Sequence, residues 1–427
     1  MGSSAQLPGV PITPSPQGPS RLAAHVRNYA WGSRHAIATL QGREAPTLPE
    51  AELWFGAHEA GPATLEHPGG DVPLDAAIAA DPDALLGPDT AARFGGRLPF
   101  LLKLLAAARP LSIQVHPDAA AAANGFAAEE RAAVPRRHPD RCFPDPWPKP
   151  ELLRAVTPFA ALCGFRAVER TLDLLDDLTL PGAGWVEQAL REGGDAALPQ
   201  VVERLLRLPT APRRELLEGL RGALAPTGGQ RPAWGRTREH IAALHATYPD
   251  DPGVLVALLL ELHELSPGQA LEVAPGTPHA YLGGVGVEVM AASDNVLRGG
   301  LTTKRVDTHG FVAALDPGAM PVGRTPTHQI GPGHHRHATG SPYFALHEYR
   351  DAPDATASHR LDPASAAIVL CLEGQVTLSH AETTAALTAG YAAFLPARAT
   401  PCRLHVEGTA IVATAGDHHL DGYPMGV

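Results

Sequence analysis

Apolar positions fall into three textures along the chain. Up to about residue 163 they come in short clusters broken by Gly and Pro, and 51–57 and 111–115 read as strands. From 168 to 262 they recur at helical spacing, over 168–178, 185–191, 200–208, 213–224, 238–246 and 253–262, with Pro and Gly marking the gaps. After Ser266 the strand texture returns, over 270–274, 279–282 and 285–291, and later over 368–372, 375–379, 392–395 and 410–413. Turns such as Ser266-Pro-Gly, Glu373-Gly374 and Ala389-Gly390 separate these runs, and the Gly-, Pro- and His-rich stretch 323–339 reads as a linker. The order predicts a mainly β protein with jelly-roll β-sandwich modules and an inserted α-helical domain. At 427 residues the chain has room for two or three domains. The expected division is a disordered lead-in at 1–20, a discontinuous catalytic β domain at 21–165 and 266–325, a helical insertion at 166–265, and at 326–427 a linker with a terminal β domain.

Charge narrows the classes of partner. The net charge of −11 argues against nucleic acid or an anionic membrane surface. The longest apolar run, near 254–260, is too short to span a bilayer, and 1–20 lacks the charged start and apolar core of a signal peptide. Cys142, Cys163, Cys371 and Cys402 are widely spaced with no CxxC pair, so free thiols and a cytoplasmic location are expected. Lysine occurs only at 103, 149 and 304, and every other member of the 34 Lys and Arg residues is arginine. Lysine is a compact, titratable point charge that arginine does not replace, so three retained lysines in an arginine-biased chain mark candidate positions.

Three segments carry candidate chemistry. In Ser112-Ile-Gln114-Val-His116-Pro-Asp118, the alternation of a strand puts Ser112, Gln114 and His116 on one face. In Lys149-Pro150-Glu151, the proline favours an extended backbone that aims the carboxylate. In Pro275-Gly-Thr-Pro-His279-Ala-Tyr281, a rigid turn delivers His279 to a strand start, and Glu288, Asp294, Asn295, Arg298, Gly299, Gly300 and Lys304 follow within an otherwise apolar β region. Polar groups packed so densely among apolar ones usually serve a site.

With 28–32, 99–103, 157–165, 278–281 and 291–304 added, these segments resemble type I mannose-6-phosphate isomerases of the cupin superfamily, in family order from about 22 to 310. The terminal stretch, about 340–427, resembles the family's second cupin domain in texture. The resemblance implies one zinc ion held by Gln114, His116, Glu151 and His279, a donor set whose imidazole and carboxylate suit zinc and leave open positions for water or substrate. It implies active-site roles for Lys103, Lys149 and Arg298 with Lys304 nearby, pocket-lining roles for Asp294, Glu288 and Ser112, and Trp31 as part of a wall. One departure stands out: the family commonly has Asn-His before Lys-Pro-Glu, and this chain has Trp147-Pro148.

The implied reaction is the interconversion of mannose 6-phosphate and fructose 6-phosphate through a cis-enediolate. Asp294, Lys149 and Lys103 are then candidates for proton handling or substrate orientation, and a buried lysine beside zinc is expected to have a depressed pKa. The implied partner is a small sugar phosphate, with no nucleic acid or membrane, and the chain is expected to be a monomer or weak homodimer. The alternatives are another metal-dependent cupin sugar-phosphate isomerase, an iron dioxygenase, or a non-catalytic sugar-sensing cupin; the lysines argue against the oxygenase, and the full ligand set with Arg298 against the sensor. His334, His335, His337, His418 and His419 read as solvated.

Overall fold

The computed structural model describes residues 16–66, 69–136, 138, 140–225, 231–318, 323–351 and 358–416. Within them, two large antiparallel sheets of eleven strands each carry the chain, with helices packed between and around them. Residues 1–15 of the expected lead-in and both His418 and His419 lie outside the described residues.

The site-bearing sheet is organised by one long strand, His279–Ala291. Its first part pairs with Phe159–Phe165 and Gln114–Val115, and its second with Phe100–Ala107 and Glu151–Ala155. The sequence suggested two strands here. The chain instead runs through as one, with a register irregularity between Tyr281 and Gly283. Gly284 adopts φ +126°, and a Cβ there would meet the Pro158 carbonyl at 2.7 Å, so only glycine fits the crossing.

The helical run follows the sequence closely. Val168–Leu178, Gly184–Gly193, Leu198–Leu206, Thr210–Leu224 and Gly235–Thr247 are helices. Their buried stripe, including Leu174, Leu175, Val201, Val202 and Leu220, joins Ile113, Val115, Leu162, Ala280 and Leu297 of the sheet in one core. The helices therefore pack against the segments that carry Gln114 and His279. The expected helix over 253–262 ends at Ala257, and Leu260–Leu265 is a strand paired with Phe159–Phe165. An apolar run of that length carries no periodicity that separates a helix from a buried strand.

The second sheet departs from expectation in two places. The stretch read as a linker is built of strands: Thr327–Gly331 and His334–His337 form a hairpin about Gly331-Pro-Gly, with Gly333 at φ +63°. The Gly-Pro-Gly that suggested a linker is the hairpin turn itself. The histidines there are not solvated as expected: His337 is fully buried, and His334 stacks on Tyr349 at 4.0 Å. In addition, Ser20–Ala23 lies between Ala392–Leu395 and Thr64–Leu65, so strands from the start of the chain complete the sheet built by its end. Among the described residues, no helix is long and apolar enough to cross a membrane.

Candidate metal centre and pocket

Strand register assembles the centre. Gln114 lies opposite His279 on one side and Arg298 on the other, so one short strand brings an amide, an imidazole and a guanidinium together. Glu151 begins its strand directly after Pro150 and pairs with Met290 and Val273. His116 lies just past the strand, where its carbonyl accepts from Gly276 N–H in the turn before His279.

His116, Glu151 and His279 are buried, and one ligand-type atom from each lies within 4.8 Å of the others. His116 Nε2 is 3.1 Å from Glu151 Oε1, and His279 Nε2 is 3.6 Å from Oε2. The other ring nitrogens face backbone carbonyls, His116 Nδ1 that of Asn295 at 2.8 Å and His279 Nδ1 that of Thr277 at 3.1 Å. A carbonyl only accepts, so each Nδ1 carries the proton and each Nε2 points its lone pair at the carboxylate. His116 Nε2 is buried with no hydrogen-bond partner. Burial holds the His116 imidazole down to about 4 and His279 below its usual range. Burial alone would raise the Glu151 carboxyl, but the charged forms of His116 and His279, with Lys149, outweigh it and hold it well below the usual range. Two neutral imidazoles and a carboxylate converging on one point, with a buried lone pair left unmatched, fit a divalent cation. Gln114 Nε2 donates to Ser112 Oγ at 3.3 Å, which leaves its carbonyl oxygen for the metal.

Charged groups line the wall beyond the ligands. Lys149 Nζ is 3.4 Å from Glu151 Oε1, and Tyr281 donates its hydroxyl to Oε2 at 3.4 Å. Lys103 Nζ sits 2.8 Å from Glu288 and 4.0 Å from Glu52, over the Trp54 ring. Burial would lower this ammonium, yet Glu288, Glu52 and Glu151 outweigh it and raise it above its ordinary value. The depressed lysine expected from the sequence is therefore not Lys103, which is a fixed cation. The Asp294 side chain is 42% exposed, and His58 Nε2 lies 3.5 Å from its Oδ1. Asp145 ties this corner together: it accepts from Asp294 N at 2.8 Å, Ser293 Oγ at 2.9 Å and Trp147 N at 3.0 Å.

Cations gather at the mouth. Lys304 stands at the exposed rim, 6.0 Å above the Tyr29 ring, which stacks on Trp31. Desolvation, then repulsion by Arg298 and Arg27, lower the Lys304 ammonium below its ordinary value. A cation group strained in this way favours an anion between its members. The rim is anchored from the helical side, where Asp251 accepts from Thr302 N at 3.1 Å and Gly253 N at 2.7 Å. Gly300, at φ +125°, passes so close to Gly253 that a Cβ would fall 2.5 Å from the Gly253 Cα.

The structure thus brings together Gln114, His116, Glu151, His279, Lys149 and Arg298. It places Lys103 with Glu288 in a buried ion pair, Ser112 against Gln114, and Lys304 over the Tyr29 ring that stacks on Trp31. Sequence reading missed Glu52, Trp54 and His58. Their signal was available as an alternating run of large side chains, 52, 54 and 58, along and just past a strand already recognised. Asp145 carried no signal, because its role depends on a tertiary contact with 293–295.

Comparisons with known proteins give the family. The catalytic-domain model of type I phosphomannose isomerase matches residues 20–168, and the cupin-domain model of mannose-6-phosphate isomerase matches 335–415. The mannose-6-phosphate isomerase of Escherichia coli K12 is 37% identical over 396 residues, covering 91% of this chain and 97% of the relative. The Homo sapiens enzyme is 35% identical over 308 residues, covering 67% and 70%. Among solved structures, the Salmonella typhimurium mannose 6-phosphate isomerase bound to fructose 6-phosphate and zinc superposes with a TM-score of 0.86 at 35% identity, covering 94% of this chain and all of that one.

Proposed function

The chain belongs to the type I phosphomannose isomerase family, and from that premise we propose that it is a zinc enzyme interconverting mannose 6-phosphate and fructose 6-phosphate through a cis-enediolate. The observation that carries the reading is the buried convergence of His116, Glu151 and His279, with an unmatched lone pair on His116, directly beside Arg298 on the shared Gln114 strand.

Gln114, His116, Glu151 and His279 would hold the ion. Zinc held there would supply Lewis-acid polarisation of the sugar carbonyl. The remaining work falls to side chains. With the ring open, a base takes the proton from C2 and that proton or a solvent proton is delivered to C1, while the O2 hydroxyl proton passes to O1, so that C2 becomes the carbonyl carbon. Asp294, with its exposed carboxylate, and Lys149, beside Glu151, are the candidates to move it. Arg298 stabilises the oxyanion that develops next to it, a role of the kind that usually dominates such reactions. Lys103 and Glu288 act as a fixed, buried pair that shapes the wall. Lys304 and Ser112 suit the phosphate dianion, with Trp31 backing Tyr29.

In this reading residues 21–165 and 266–325 form the catalytic cupin domain, 166–265 the helical insertion and 326–427 the second cupin domain. The enzyme works in the cytoplasm as a monomer or weak dimer, in carbohydrate metabolism that serves GDP-mannose synthesis. The test is conversion of mannose 6-phosphate by purified protein with and without a chelator. Loss on chelation and recovery on adding zinc are expected. Undiminished turnover after complete metal removal overturns the zinc role, and no turnover by metal-replete protein overturns the activity.

A further inference from the structure

A buried histidine that the proposed chemistry does not use lies against the carboxylate placed to move the proton. His58 follows strand Glu52–Phe55, is 7% exposed, and meets the Trp54 ring edge-on at 5.1 Å. Its Nδ1 accepts the Ala60 N–H at 3.2 Å. That contact fixes the tautomer, so the proton sits on Nε2, which is the atom 3.5 Å from Asp294 Oδ1. Burial lowers the imidazole below its ordinary range; Asp294 and Glu59 pull it up, and Lys103 and Lys149 push it down.

The backbone of Asp294 is held by Asp145, but its carboxylate is not. Among the described residues, the ion-pair or hydrogen-bonding partner of that carboxylate is His58 alone. A carboxylate that removes a proton from carbon must present one oxygen at a fixed distance, and a misplacement of about 1 Å costs on the order of a hundredfold in rate. We infer that His58 is a positioning residue for Asp294: its Nε2–H engages Oδ1 and leaves Oδ2 directed at the substrate carbon. The inference rests on the reading of Asp294 as a proton-transfer group. It gives this chain a histidine at the proton-transfer corner although position 148 is proline.

The experiment is a steady-state cycle on the zinc-loaded enzyme with His58→Ala, His58→Gln, Asp294→Asn and the double variant His58→Ala/Asp294→Asn. His58→Ala is expected to lower kcat at least tenfold, with KM within twofold and metal content unchanged. His58→Gln, whose amide reaches the Nε2 position, is expected to recover most of that loss. In the Asp294→Asn background, His58→Ala is expected to change kcat less than twofold, since its effect runs through the carboxylate. If His58→Ala is too unstable to assay, His58→Asn serves instead, because it still accepts from Ala60 but ends short of Asp294. An impaired Asp294→Asn combined with a near-normal His58→Ala, an additive double variant, or a loss that His58→Gln does not recover overturns the positioning role alone. A near-normal Asp294→Asn overturns the reading of Asp294, and this inference with it.

Discussion

Arg154, three residues beyond Glu151, grips Glu348 of the other sheet through Nε at 3.0 Å and a terminal nitrogen at 2.9 Å, where Glu348 has no exposure at all. Arg350 binds the same carboxylate, and His337 lies 3.6 Å away. The contact couples the ligand strand to the carboxy-terminal sheet.

That cluster predicts an acid-labile interface. Burial would raise the Glu348 carboxyl, but His337, Arg154 and Arg350 outweigh it and bring it to about 2, from an ordinary 4.5. The unfolded chain therefore takes up this proton first. The stabilisation is complete above pH 4.5 and is lost as pH falls toward 2. Glu348→Gln should cost roughly 3 kcal/mol at pH 7 and almost nothing near pH 2, read from urea unfolding across that range. Equal destabilisation at both pH values would count against the ionic account.

The metal set predicts about one tightly held divalent ion per chain. Glu151→Ala and His279→Ala should lose most of it while remaining folded, as measured by elemental analysis and circular dichroism. Full occupancy in either variant sinks the assignment.

The three lysines should separate. Lys149→Arg, beside Glu151, should reduce kcat more than tenfold, about 1.4 kcal/mol, with a changed pH profile. Lys304→Arg, at the rim, should act mainly on KM. Lys103→Met leaves Glu288 and Glu52 buried without their cation and should cost about 3–5 kcal/mol, seen as a lower Tm. Unchanged kinetics in the first two variants would reduce the lysines to generic charge.

The anchoring of the rim predicts that Gly300→Ala raises KM by roughly tenfold with metal content intact, because the new Cβ must push the rim off Gly253. Asp251→Ala should act in the same direction, and Asp251→Asn less, since its amide oxygen still accepts one of the two backbone donors. A normal KM in Gly300→Ala would show that the rim tolerates displacement.

Sequence reading reached furthest where one element decides the outcome. The helices of 168–247 followed from apolar spacing, while Gln114, His116, Glu151 and His279 became one set only through the family resemblance, and the structure brings the last three of them together. It fell short where the partner is distant. Leu260–Leu265 is a strand because Phe159–Phe165 lies beside it, and His337 is buried because Glu348 and Thr327 face it. Lys103 looked like a group free to titrate until Glu288 and Glu52 were seen around it. In each case the deciding neighbour is far away along the chain.

The strand at Ser20–Ala23 bears on how the protein is made. Ser20 pairs with Phe394 and Leu22 with Ala392, a separation of roughly 370 positions. At ordinary translation speeds of about 5–20 residues per second, roughly 20–75 s pass between the appearance of one partner and the other. Throughout that interval the early strand keeps an unpaired edge on the ribosome, beside an apolar face built by Leu22 and Leu65. The early strand therefore gains its second neighbour only after residue 394 has been made.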